Sequence, residues 1–176
     1  MVSDPYVLDS TIIINLACVD KPVRTWIVKA LAEVSIVALE VDDELYEGVM
    51  SARRHPRAAE ARCIGKQMHQ GPDEDIPLIE RGDELREEIA KPSDPPDEHL
   101  GEAGSAALAE RVGGTLVTDD GSGKDLERLT GVRRLTTAGL LTELVDSGAV
   151  TCADAQSAYA AIIAAGRWVD PNATIC

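Results

Sequence analysis

Short apolar, β-branched runs alternate along this chain with stretches of helical periodicity, and this alternation restricts the fold more than any other feature. Tyr6-Val7-Leu8, Val34 to Leu39, Thr115 to Thr118 and Val132 to Leu135 each read as a buried strand. Between them apolar residues recur at helical spacing. Ile12, Ile13, Leu16 and Ala17 follow Ser10 or Thr11 as the cap, and Trp26, Ile27, Ala30 and Leu31 follow Pro22. Leu45, Val49 and Ala52 follow Asp42 and Asp43, and 57–68 can form a further helix after a break at Pro56. Residues 101–113 form an Ala-rich helix and 125–129 begin another. Thr136 or Thr137 caps one that closes at Gly148, and 152–165 form the last. Residues 71–75 read as an acidic turn, Pro77 to Ile79 as a short strand before a polar helix, and 91–96 as a proline-rich loop. Strands regularly separated by helices predict an α/β fold. The expected form is a three-layer α/β/α unit with a mostly parallel central sheet of four to five strands, in one domain spanning 1–176. Aromatics are only 3% and Phe is absent, so the core must be built from Val, Leu, Ile and Ala, with Trp26 and Trp168 expected inside it.

The formal net charge is −14, which opposes phosphate binding unless basic residues cluster locally. Arg53, Arg54, His55 and Arg57 form the densest such cluster; Arg133 with Arg134 and the lone Lys124 are smaller ones. The acidity has two readings: it serves solubility, or the source lives in high salt, where repulsion is screened within about 3 Å. The bias toward Arg, twelve against five Lys, leans the second way. Cys18, Cys63, Cys152 and Cys176 form no CxxC pair, which argues against zinc. Without a signal peptide, four reduced thiols in a cytoplasmic protein are the expectation. No apolar run approaches the ~20 residues needed to span a bilayer.

The chemistry should lie where strands end. In an open α/β sheet the carboxyl ends of the strands face a common crevice. Asp9 ends the first strand and Asp119-Asp120 end the one at Leu116 to Thr118, so both should reach one rim. Carboxylates brought together repel and raise one another's pKa, and a hard divalent cation relieves that cost. Taken singly, Asp9 also reads as a helix cap and Asp119-Asp120 as an ordinary turn.

Several segments resemble the PIN domain family. Tyr6-Val-Leu-Asp9-Ser-Thr11 is similar to its opening strand, whose Asp is a metal ligand. Val37 to Gly48 is similar to its second segment, with an E-L-x-x-G pattern that places the second acid at Glu44. Leu100 to Ala109 resembles the G-E-A-x-x-x-A-L-A helix of one branch and supplies Glu102, and Leu116-Val-Thr-Asp119-Asp120 resembles the strand ending in the last acid. The tail from Leu135 to Val150 and Trp168-Val169 is also similar. The resemblance implies a PIN-like fold in which Asp9, Glu44, Glu102 and Asp119 or Asp120 hold Mg²⁺ or Mn²⁺ and RNA is the substrate. It further implies a toxin of a toxin–antitoxin pair, with an antitoxin protein and a second copy of the chain as partners. The segment 57–96 matches least. Where the branch often has Asp, this chain has His99, and Asp97 and Glu98 can substitute. Glu40 and Glu47 compete with Glu44 for the second position, and a solvated helix face accounts for any of the three. The two final acids are not separable in the sequence.

Other classes fit less well. A haloacid-dehalogenase phosphatase needs a second Asp two residues after the first, where this chain has Thr11, and a receiver domain needs paired acids near the first strand. A PIN-like module that has lost catalysis and binds RNA or protein is the alternative that the charge favours.

Overall fold

The structure is a computed structural model that describes residues 4–50, 57–72, 75–95 and 98–176. In chain order the elements are β1 (Tyr6–Leu8), α1 (Ser10–Ala17), α2 (Lys21–Ala32), β2 (Ser35–Val37), α3 (Leu39–Met50), α4 (Ala58–Gly65) and β3 (His69–Gln70). They continue with α5 (Ile76–Ile89), α6 (Leu100–Val112), β4 (Thr115–Val117), α7 (Gly123–Thr130), β5 (Arg134–Leu135), α8 (Thr137–Asp146) and α9 (Cys152–Ala164). The five strands form one sheet in the order β3-β2-β1-β4-β5, and every pairing is parallel. Helices cover both faces, giving the three-layer α/β/α arrangement.

The strand order positions the site. From β1 the chain moves outward to β2 and β3, then returns to the other side of β1 for β4 and β5. Strands β1 and β4 are therefore neighbours across the point where the winding reverses, and their carboxyl ends border the crevice. The register aligns them: Tyr6 lies opposite Thr115 and Leu8 opposite Val117. Val7, Leu8, Leu116 and Val117 have no exposed surface, as expected for a sheet covered on both sides. Helix α6 is buried along most of its length because it carries Gly101, Ala103, Gly104, Ser105, Ala106 and Ala107, which allow α3 and α5 to approach closely.

Several expectations are corrected. Pro77 to Ile79 is the first turn of α5, not a strand. The missing amide of Pro77 is harmless at a helix start, and Asp75 caps the helix by accepting from the Leu78 amide at 3.3 Å. The sheet takes its remaining strand from His69–Gln70, two exposed residues at its edge that carry no apolar signal. The cap of α1 is Asp9 itself, not Ser10 or Thr11, and β2 ends at Val37 so that Leu39 opens α3. Trp26 and Trp168 are not core residues. They are 54% and 92% exposed, because aliphatic and Ala side chains already fill the interior.

The expectation of four reduced thiols fails for two of them. Cys152 and Cys176 form a disulfide, with Cα atoms 6.1 Å apart. The terminal segment folds back along α9, burying Ile175, whose carbonyl accepts from Gln156 Nε2 at 3.3 Å, and this brings the sulfurs together. Cys18 is a buried thiol and Cys63 an exposed one. Arg53, Arg54, His55, Pro56 and Asp97 lie outside the described residues.

Candidate active site

Asp9 follows β1 directly and is fully buried. Its Oδ1 accepts from the Ser10 amide at 2.7 Å, and its Oδ2 accepts from the hydroxyls of Thr11 at 2.8 Å and Thr118 at 2.9 Å. The Asp9 amide donates to the Val117 carbonyl at 3.1 Å, which fixes the end of β1 to β4. Burial raises the Asp9 carboxyl above its ordinary range; the three hydrogen bonds oppose this and the Asp120 charge adds to it.

Glu44 reaches the same place from the second turn of α3. It accepts from the Gly101 amide at 2.9 Å and from the Ser10 hydroxyl. Burial, reinforced by Asp9, pushes it up to about 7. Glu102, in the first turn of α6, faces the Ser122 hydroxyl closely and His99 Nδ1 at 3.0 Å. Burial and the charges of Asp9 and Asp120 push it up to about 8. At Asp120, burial acts upward, but hydrogen bonds with Glu102 and with the amide and hydroxyl of Ser122, both at 3.2 Å, outweigh it and lower the carboxyl. The two carboxyls are thus pushed in opposite directions, Glu102 up and Asp120 down.

Four of the five acids singled out in the sequence therefore converge: Asp9, Glu44, Glu102 and Asp120. Asp119 faces the other way, as adjacent residues at a strand end do. It accepts from Asn15 Nδ2 at 2.7 Å and the Thr137 amide at 2.9 Å, and it also meets the Thr137 hydroxyl. Asn15 in turn accepts from Arg167 Nε at 2.6 Å. Of the competitors for the second acid, Glu40 lies over Gly104 and Glu47 is exposed. Both line an open groove of about 640 Å³ together with Asp43 and Glu98.

The second ring of the site was not read from the sequence. Thr118 joins two acids by donating to Asp9 and accepting from the Asp120 amide at 3.1 Å, and Ser122 joins Asp120 to Glu102. Its signal is a hydroxyl residue placed one or two positions from each strand-end acid: Ser10, Thr11, Thr118 and Ser122. His99, in the left-handed region at φ 68°, sits between Glu102 and Asp94, at 3.0 and 3.3 Å. Partial burial lowers its pKa, but those two carboxylates more than offset this and raise it overall.

Of the basic residues singled out in the sequence, Arg57, Arg133 and Arg134 are engaged elsewhere. Arg133 pairs with Glu143, and Arg134 donates to the Thr118 carbonyl at 3.2 Å. Arg57 donates to the Ala17 carbonyl and Glu60, both at 3.2 Å, while Lys124 is exposed.

The donor set suits a hard divalent cation. It consists of carboxylate oxygens, two of which, on Glu44 and Glu102, are pushed up to about 7 and about 8 by burial and neighbouring charge, and among the described residues no Lys or Arg pairs with any of the four. In the conformation seen, no three His, Cys, Asp or Glu side chains among the described residues lie close enough together to chelate one ion. Glu102 is instead turned onto Ser122, from which side-chain rotation can release it, while Glu44 is held by the Gly101 amide.

The parallel α/β sheet carries one buried and three part-buried acids at the point of strand reversal. A family model described as a PIN domain matches residues 5–174, and the chain belongs to that family, whose members are generally nucleases. No curated protein and no solved structure matches it. Among the described residues, no helix is long and apolar enough to cross a membrane.

Proposed function

We propose that this chain, read as one PIN-like domain over 1–176, is a metal-dependent endoribonuclease that holds Mg²⁺ or Mn²⁺ with Asp9, Glu44, Glu102 and Asp120. The observation that carries this reading is their convergence: carboxylates from four separate segments gather on Asp9, with Glu44, Glu102 and Asp120 each within its electrostatic reach. A divalent ion there supplies charge neutralisation and an activated water for attack on a phosphodiester. The chain's own residues keep the acids in place. Thr11 and Thr118 both donate to Oδ2 of Asp9, Ser10 and Gly101 hold Glu44, and Ser122 orients Asp120 against Glu102. Asp119 holds the turn after β4 so that Asp120 points inward. The toxin role, with an antitoxin protein and a homodimer, belongs to this proposal and rests on the family resemblance.

The acidic groove beside the centre favours a second reading, a PIN module that binds a basic protein and has no nuclease activity. Incubating the purified chain with RNA separates the two. The nuclease reading expects cleavage with Mn²⁺, none with chelator, and none for a folded Asp9→Asn variant. Equal cleavage with and without chelator contradicts the metal mechanism. Absence of cleavage under every divalent ion favours the module.

A further inference from the structure

We propose that Gly101 is a positioning residue for the candidate centre: its amide and its lack of a side chain together set where the Glu44 carboxylate stands. The inference rests on the reading of Glu44 as a metal ligand.

Gly101 is the second residue of α6, so its N–H is among the amides that a helix start leaves without a partner inside the helix. It donates to Glu44 Oε1 at 2.9 Å, and the positive end of the helix faces the carboxylate. The Ser10 hydroxyl holds Glu44 through a second hydrogen bond. A Cβ at Gly101 would lie 2.6 Å from both Cδ and Oε1 of Glu44, inside van der Waals contact. The carboxylate occupies the space that any side chain at 101 would fill. What a Cβ would strike is the tip of a flexible side chain and not backbone, so Glu44 must move while the helix need not. The backbone at 101 is helical, so Ala fits it and improves helix propensity.

One turn along, Gly104 does the same for another acid. A Cβ there would lie 2.6 Å from Oε2 and 2.8 Å from Cδ of Glu40. Two glycines on one helix thus seat two carboxylates of α3, and Glu40 lies outside the converging four. Gly104→Ala is therefore the matched control for Gly101→Ala.

The test titrates Mn²⁺ into the full chain by calorimetry and electron paramagnetic resonance, with thermal melting in chelator as the measure of folding. The variants are Gly101→Ala, Gly104→Ala, Glu44→Gln, Asp9→Asn and the Gly101→Ala/Glu44→Gln double. Residues that orient a metal ligand change affinity by about 10- to 100-fold, so Gly101→Ala is expected to weaken Mn²⁺ by about tenfold or more. Its melting temperature in chelator should be unchanged or raised, and Gly104→Ala should bind as the parent does. If Gly101→Ala melts lower, the double variant decides. Displacement of Glu44 makes the two substitutions non-additive, whereas general damage to the fold adds to the effect of Glu44→Gln. Parent-like Mn²⁺ affinity in Gly101→Ala, with binding lost in Asp9→Asn, overturns the role of Gly101 and leaves the metal reading standing. Parent-like affinity in Asp9→Asn overturns the metal reading and this inference with it.

Discussion

Asp119 and Asp120 are adjacent in the chain, yet their surroundings are opposite. Asp119 accepts from Asn15 and Thr137, whereas Asp120 accepts from Ser122, which also faces Glu102. In chelator, Asp119→Ala leaves buried donors unsatisfied and should destabilise by about 1–3 kcal/mol in urea unfolding. Asp120→Asn keeps an acceptor for Ser122 and relieves the charge on Asp9 and Glu102, so it should cost less than Asp119→Ala. A larger loss for Asp120→Asn would contradict this division. The raised pKa values give a pH prediction with a definite sign. Glu44 and Glu102 move from 4.5 to about 7 and about 8 in the folded state, so their contribution is full below pH 4.5 and is lost as pH rises to 8. Asp9 and His99, also raised, act in the same direction. The melting temperature in chelator should therefore fall between pH 5 and about 8.5, and the gain from added Mn²⁺ should grow over that range. A melting temperature that rises with pH in chelator would refute the crowding. In the sequence the acids themselves were legible. Which way Asp119 points was not, because it depends on the twist at the end of β4 and on Asn15, Thr137 and Arg167, which are remote in the chain.

Elements were legible where packing and propensity agree. Strands β1, β2 and β4 carry β-branched or apolar runs and lie inside the sheet, and β5, read from the run Val132 to Leu135, forms its edge beside β4. Strand β3 was missed because an edge strand of His and Gln is held by backbone pairing alone. The start of α5 was misread because Pro77 suggests a break, yet suits the first turn of a helix. The disulfide was illegible for a similar reason: whether two cysteines meet depends on the path of the tail. It closes a loop with a sequence separation of 24, so Cys152→Ser with Cys176→Ser should lower stability by about 2–4 kcal/mol in urea unfolding. The same segment carries Arg167, which holds Asn15 behind Asp119, so that loss should be accompanied by looser protection of the β4 end in hydrogen exchange. Unchanged stability in the double serine variant would show that the tail packs without the bond.

For the whole molecule, a net charge of −14 means that self-repulsion works against the compact state. Raising NaCl from low concentration to about 1 M shrinks the screening length to about 3 Å and should raise the melting temperature. A fall would show that surface ion pairs such as Arg81–Glu110 and Arg24–Glu60 outweigh the repulsion. Among the described residues Arg133 and Arg134 are engaged within the fold, and the groove that Glu44 and Glu102 help to line is acidic. In the proposed nuclease, drawing in phosphate at this groove therefore falls to the divalent ion. Anomalous diffraction from crystals soaked in Mn²⁺ tests that dependence most directly. The account predicts a manganese peak bounded by Asp9, Glu44, Glu102 and Asp120, with Glu44 still on the Gly101 amide and Glu102 rotated off Ser122. A peak at Asp119 or at Glu40 and Glu47, or no peak beside a well-ordered Asp9, would contradict it.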